Sequence, residues 1–255
     1  MSTPIPSILR LPALPDWLWA PVNAVQLVFT LAWTAGWITL ALLVRAFSGG
    51  PRLPLRMAAR IWAPGLLTGA GARLVVEGDG RIDWSKPYVI VANHQSVIDI
   101  CALFRAVPVP LRFMLKAELG RVPFLGWYTR AMGMVFVARG QRHSAVESLR
   151  RASEQVREGS LCIFPEGPRS RDGTVGRFKL GAFQVAVDAQ VPVLPVAIVG
   201  SGRVLPAAGF RVRPGEIRVR FGAPIAPPPA DAPQARERLA QDARAAVSAL
   251  YEGRA

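Results

Sequence analysis

Cysteine and histidine are scarce in this sequence, two of each in 255 residues. Cys101 and Cys162 both lie inside apolar runs. That argues against a disulfide framework and reads as two small buried hydrophobes in a reducing compartment. No CxxC pair and no His-rich cluster is present, so no structural metal is expected. Acids are short as well: 17 Asp and Glu stand against 31 Lys and Arg, a net charge of +14. Such an excess attracts nucleic acid, phospholipid headgroups or phosphorylated substrates, and charge alone does not choose among them. Basic motifs interleaved with aromatics are lacking, which argues against a nucleic-acid partner.

Charge is missing altogether from Trp17 to Val44. About 20 helical residues cross the hydrocarbon core, so this stretch is long enough to do so. It is too long for a signal peptide, only Arg10 precedes it as a basic residue, and no convincing small-residue cleavage site follows. A membrane anchor is expected. Pro21, Asn23 and Gly36 leave a helical hairpin open as the alternative to a single span. Arg45, Arg52, Arg56 and Arg60 follow, and for a spanning segment they place its C-terminal side in the cytoplasm. The expected division is a membrane-anchoring region over 1–64 and an α/β domain over 65–255.

Beyond a Gly/Pro-rich connection, short apolar runs alternate with helical patterns. Strands are expected at 73–78, 88–93, 112–116, 134–138, 161–164 and 193–199. Helices are expected from about Ser96, over Leu125–Met132, and near 180–189 and 233–251. Residues 145–159 form an amphipathic helix with Ala145, Leu149, Ala152 and Val156 on one face. The stretch "FRVRPGEIRVRF" reads as a hairpin around Pro214-Gly215. The fold class is α/β, a mostly buried mixed sheet flanked by helices, with an N-terminal anchoring helix or helical hairpin.

The chemistry-bearing stretches sit where strands end. In "VANHQSVIDI" (91–100), His94 follows an apolar run and Asp99 comes five residues later. Both are polar groups at the edge of a core, and such groups need partners. On one regular helix they would lie about 140° apart, so they meet only if His94 precedes the helix and Asp99 sits one turn inside it. Two readings stand side by side. Ser96-x-x-Asp99 matches a capping box that ties down a helix start. Alternatively, an Asp orients an imidazole that takes a proton from a hydroxyl. A second stretch, "FPEGPRSRDGTVGRFKLGAF" (164–183), carries Glu166 and Gly167 and then Arg169, Arg171, Arg177 and Lys179 in a glycine-rich loop. Arginines in such a loop suit phosphate. A third begins at Lys116 and Glu118, either a surface ion pair or a headgroup contact. Arg139 closes a fourth, "FVARG".

The serial order "NHQSVID", "KAEL", "GMVFVARG", "FPEGPRSR" and "VPVLPVAI" resembles the glycerolipid acyltransferase family, whose bacterial members include 1-acylglycerol-3-phosphate acyltransferases. The resemblance covers roughly residues 73–200. It implies His94 as general base and Asp99 as its orienting partner. Arg139 and Arg169, with Lys116 secondary, would hold the acceptor's phosphate, while Glu166 and Gly167 would shape the glycerol site. It also implies acyl-CoA or acyl carrier protein as co-substrate, with neither cofactor nor metal. The acceptor would be a membrane lysophospholipid, and the enzyme would work at the anionic cytoplasmic face of the inner membrane. Another lysolipid, such as a lyso-ornithine lipid, is the alternative acceptor. One departure is visible: Pro168 stands where the family's fourth block usually has Thr, which removes a hydroxyl and an N–H.

Overall fold

The structure is a computed structural model that describes residues 15–137 and 142–254. The apolar runs become β1 (Ala72–Glu77), β2 (Val89–Ala92), β3 (Arg112–Lys116), β4 (Val135–Val137), β5 (Leu161–Ile163), β6 (Val193–Val199) and β7 (Gly215–Phe221). They pair in one seven-stranded sheet, ordered β1-β7-β6-β2-β5-β3-β4. Strands β6, β2, β5, β3 and β4 run parallel, whereas β7 is antiparallel to β6 and parallel to β1. The sheet is therefore mixed, and β2 lies at its centre.

Alternation along the strands divides the core in two. Ile90 and Ala92 of β2 face one layer, and Val89 and Val91 face the other. The first layer takes α1 (Asp16–Ser48), α2 (Arg52–Met57), α3 (Ala63–Gly69), α4 (Ile98–Ala106) and α5 (Leu125–Ala131). The second takes α6 (Arg142–Arg157), α7 (Gly181–Ala189) and α9 (Ala235–Glu252), while the short α8 (Ser201–Val204) follows β6. Cys101 and Cys162 are free and buried, as expected.

Helix α1 is continuous over 33 residues, straight through Pro21, Asn23 and Gly36, so the hairpin alternative is not realised. It is long and apolar enough to cross a membrane and is a candidate anchor. One stripe of it, with Trp37, Ile38 and Ala41, joins the domain's core. Two further expectations are corrected. The Gly/Pro-rich connection before β1 is helical: α2, a π-helical segment Ala58–Trp62 and α3 follow one another. Pro51 occupies the N-cap of α2 and Pro64 lies in the first turn of α3, positions where a missing N–H is tolerated. The hairpin around Pro214-Gly215 does not form either, because residues 210–214 are irregular and β7 inserts between β1 and β6. Arg220 and Arg218 then pair with Glu77 of the neighbouring strand, at 2.8 and 3.1 Å.

The descent from β3 to α5 is tight. A Cβ on Gly126 would overlap the carbonyl of Gly120, whereas one on Gly36 would meet nothing within 4 Å. Gly126→Ala should lower stability by about 1–3 kcal/mol, and Gly36→Ala should leave it unchanged or raise it by up to about 1 kcal/mol. Thermal unfolding of the detergent-solubilised chain checks the contrast, and equal melting temperatures would refute it.

Candidate active site

The C-terminal ends of β2 and β5 lie side by side and deliver the two acid-bearing stretches to one place. Asn93 prolongs β2 and is locked to β6: its Nδ2 donates to the Ile198 carbonyl at 2.9 Å, and its Oδ1 accepts from the Ile198 N–H at 2.7 Å. The chain leaves the strand there and turns into α4 within a few residues. His94 therefore precedes the helix, and Asp99 sits inside its first turn.

His94 Nδ1 lies 2.9 Å from Asp99 Oδ2. The same oxygen accepts the backbone N–H groups of Gln95 and Ser96, at 2.8 and 2.9 Å. Ser96 Oγ accepts from the Ile98 N–H. The cap and the dyad are thus one arrangement, because a single buried oxygen closes the helix start and holds the imidazole. Asp99 is wholly buried, while His94 keeps an opening to solvent. The His94 ring stacks on Phe164, with centroids 4.0 Å apart. Its Nε2 makes no hydrogen bond among the described residues and is the ring nitrogen free to act.

Glu166 braces the same residue from the β5 side. Its Oε1 accepts the His94 N–H at 3.0 Å, and its Oε2 accepts the Gly176 N–H at 3.1 Å. Gly167 follows at φ 90°, a left-handed turn that suits glycine and folds the loop back over the strand end. The His94 carbonyl accepts the Ser170 N–H at 2.7 Å, closing the loop onto the dyad. Burial pushes the Glu166 carboxyl above its ordinary range, and the hydrogen bonds from Gly176 and His94 oppose that rise.

Of the residues singled out in the sequence, His94, Asp99, Glu166 and Gly167 converge. Arg169 is half-buried on the same loop and has no hydrogen-bond or ion-pair partner among the described residues. Pro168 is exposed, and its neighbours carry the loop's backbone bonds. Lys116 ends β3 and is ion-paired to Glu118 at 3.1 Å, both side chains half exposed. Arg139 lies outside the described residues. Sequence reasoning missed Asn93 as a tether, Phe164 as a stacking partner and Gly176 as a donor to Glu166. Adjacency to His94 could have flagged Asn93, but nothing local marks the other two. Burial pushes the Cys101 thiol up to about 12 and raises the Cys162 thiol well above its ordinary value, so neither is a thiolate nucleophile near neutral pH. Among the described residues no group of three or more His, Cys, Asp or Glu could hold a metal.

The acyltransferase family model matches residues 73–199, from β1 to the end of β6, and that span contains the whole cluster. A 1-acyl-sn-glycerol-3-phosphate acyltransferase of Pseudomonas aeruginosa is 37% identical over 181 residues, 70% of this chain and 69% of the relative. The chain belongs to the acyltransferase family. A chloroplastic 1-acyl-sn-glycerol-3-phosphate acyltransferase of Brassica napus is also 37% identical, over 61% of this acyltransferase chain. The chain spans about half of that relative's length, 46%. The crystal structure of the 1-acyl-sn-glycerophosphate acyltransferase PlsC of Thermotoga maritima superposes with a TM-score of 0.77 at 26% identity. That superposition covers 92% of this chain and 97% of the other.

The brace makes a separate prediction. Glutamine at 166 keeps one acceptor oxygen but turns an NH2 toward a backbone N–H. Glu166→Gln should therefore cost about 1 kcal/mol by leaving one half-buried donor without its acceptor. With its pKa raised by burial, Glu166 binds its proton more readily folded than unfolded. Its contribution to stability is accordingly fullest below the unfolded carboxyl's range and declines as pH rises through its folded value. Unfolding from acid to neutral pH should show this decline in wild type and lose it in Glu166→Gln; parallel profiles would refute it.

Proposed function

We propose that this chain transfers an acyl group from an acyl thioester to the free sn-2 hydroxyl of a 1-acylglycerol-3-phosphate, forming phosphatidic acid. The observation that carries the reading is the His94–Asp99 contact, beside a loop that presents Arg169, which has no partner among the described residues. With its proton on Nδ1 the imidazole donates to Asp99, and Nε2 keeps its lone pair. Nε2 takes the acceptor's hydroxyl proton as that oxygen attacks the thioester carbonyl. Collapse of the tetrahedral adduct breaks the carbon–sulfur bond, and the departing thiolate takes the proton back from Nε2. The acceptor supplies the nucleophile, so no acyl-enzyme is needed.

Arg169 holds the acceptor's phosphate through its planar fork, and Arg139 and Lys116 add positive charge. Glu166 and Gly167 shape the wall of the glycerol site. The donor is acyl-CoA or acyl carrier protein, both acidic partners for a chain of charge +14. Residues 1–64 anchor the protein and 65–255 form the catalytic domain. The length and apolar character of helix α1 support a position at a membrane, where the lysolipid resides. We assign the site to the cytoplasmic face of the inner membrane, a reading supported by the basic residues Arg45, Arg52, Arg56 and Arg60 after the apolar run, which suit an anionic leaflet.

Purified, detergent-solubilised protein should acylate 1-acylglycerol-3-phosphate, and a folded His94→Ala variant should lose about 10²–10⁴-fold in rate. Asp99→Asn should also lose rate, since a neutral amide no longer balances the positive charge that forms on the imidazole when Nε2 takes the proton. Equal turnover by wild type and His94→Ala would sink the base assignment. Wild-type turnover of a lyso-ornithine lipid but not of the phosphate-bearing acceptor would overturn the acceptor assignment.

A further inference from the structure

The opposite edge of the sheet carries a second concentration of positive charge. The N-terminal approaches to β2, β3 and β5 and the start of α2 enclose a cavity of about 250 Å³. Arg52, Arg56, Lys86, Arg112 and Arg157 line it, with Glu158 as its acid. A second cavity, of about 370 Å³, shares Arg52, Arg112 and Glu158 and extends to Leu53 and Ser48 at the foot of α1. The site is remote from His94, which lies past the other end of β2.

Some of these cations are already engaged. Lys86 pairs with Asp83 at 3.2 Å, Arg157 donates to the Asp188 and Ala189 carbonyls at the end of α7, and Arg112 donates to the Gln155 carbonyl. Arg52 and Arg56 have no hydrogen-bond or ion-pair partner among the described residues, and Arg112 Nε is buried without one. Guanidinium groups gathered in a concavity, with donors to spare, suit a phosphate. The rim adds a second property. Leu53, 50% exposed, lines the second cavity beside Ser48, and Phe47 at 90% and Leu43 at 54% stand exposed on the turns of α1 that lead down to it. A soluble anion has no use for that apolar rim, whereas an acyl chain does.

We propose that this cavity binds the phosphate of an anionic glycerophospholipid, its acyl chains lying against Phe47, Leu43 and Leu53. It is a lipid site separate from the catalytic one, and it would hold the foot of α1 at the headgroup level of an anionic bilayer.

The test titrates the full chain in neutral detergent with dihexanoyl phosphatidylglycerol, followed by calorimetry, beside dihexanoyl phosphatidylcholine and inorganic phosphate. Arg52→Gln with Arg56→Gln should weaken the phosphatidylglycerol affinity about tenfold, and Glu158→Gln should strengthen it about fivefold. Circular dichroism checks the fold of the double variant. Glu158→Gln leaves every arginine in place and reads the site in the opposite direction should the double variant fail to fold. Unchanged affinity in folded variants would overturn the proposal. Equally tight phosphatidylcholine would also overturn it, and equally tight inorganic phosphate would reduce it to a free-anion site.

Discussion

The candidate site depends on one buried oxygen. Asp99 Oδ2 accepts from His94 Nδ1, Gln95 N and Ser96 N, all within 2.9 Å. A carboxyl group with no solvent exposure is costly unless such donors surround it. The five-residue spacing follows from this geometry. One residue ends the strand, the next two turn their N–H groups inward, and one helical turn brings the acid back over them. Shortening or lengthening the stretch would separate the acid from the turn it closes. Folding of the α4 start and orientation of the imidazole are therefore the same event.

The rest of the sheet converts that local turn into a fixed position. Strand β2 is central, so His94 can be held from both neighbours. Asn93 ties it to β6, Glu166 and Phe164 hold it from β5, and Ser170 closes the loop above. Each restraint is made by buried or half-buried groups on or next to regular elements, where little freedom remains to be lost. Nε2, in contrast, has no partner among the described residues. A ring fixed on one nitrogen and open on the other is organised for proton transfer before any ligand arrives.

Much of this was legible in the chain. Strand β3 was expected at 112–116 and forms there, because turn residues flank its apolar run on one side and polar ones on the other. The meeting of His94 and Asp99 was legible as a conditional, resting on where the helix begins. Two features misled. Prolines 51, 54 and 64 read as breakers over 49–72, yet they fall at helix starts or first turns, and a π-helical segment carries the backbone between them. The alternation in 210–221 was real, but its pairing was not local. Strand β7 takes its register from β1, far back in the chain, and a period of two cannot name a partner. Gly176 was hidden for the same reason, since its bond to Glu166 depends on how a whole loop closes.

The apolar helix carries its own instructions for docking. Polar groups in such a segment are costly in hydrocarbon unless they are satisfied. Asn23 donates to the Val212 carbonyl, Gln26 to the Gly69 carbonyl and Trp33 to the Trp62 carbonyl, while Trp62 returns a bond to Thr34. Arg213 stacks over Trp19 at one end of the helix, and Arg45 donates to the Ala131 carbonyl at the other. These contacts run nearly the full length of α1, so the helix lies along the domain. Lifting it away to cross a bilayer alone would strip every one of these groups of its partner. The polar residues thus select the face that packs inward, and the apolar remainder, with Val25, Val28, Leu31 and Leu43, is left exposed. Helix α1 and the sheet are consequently held in one orientation, which keeps the opening beside His94 at a set position relative to that exposed apolar flank.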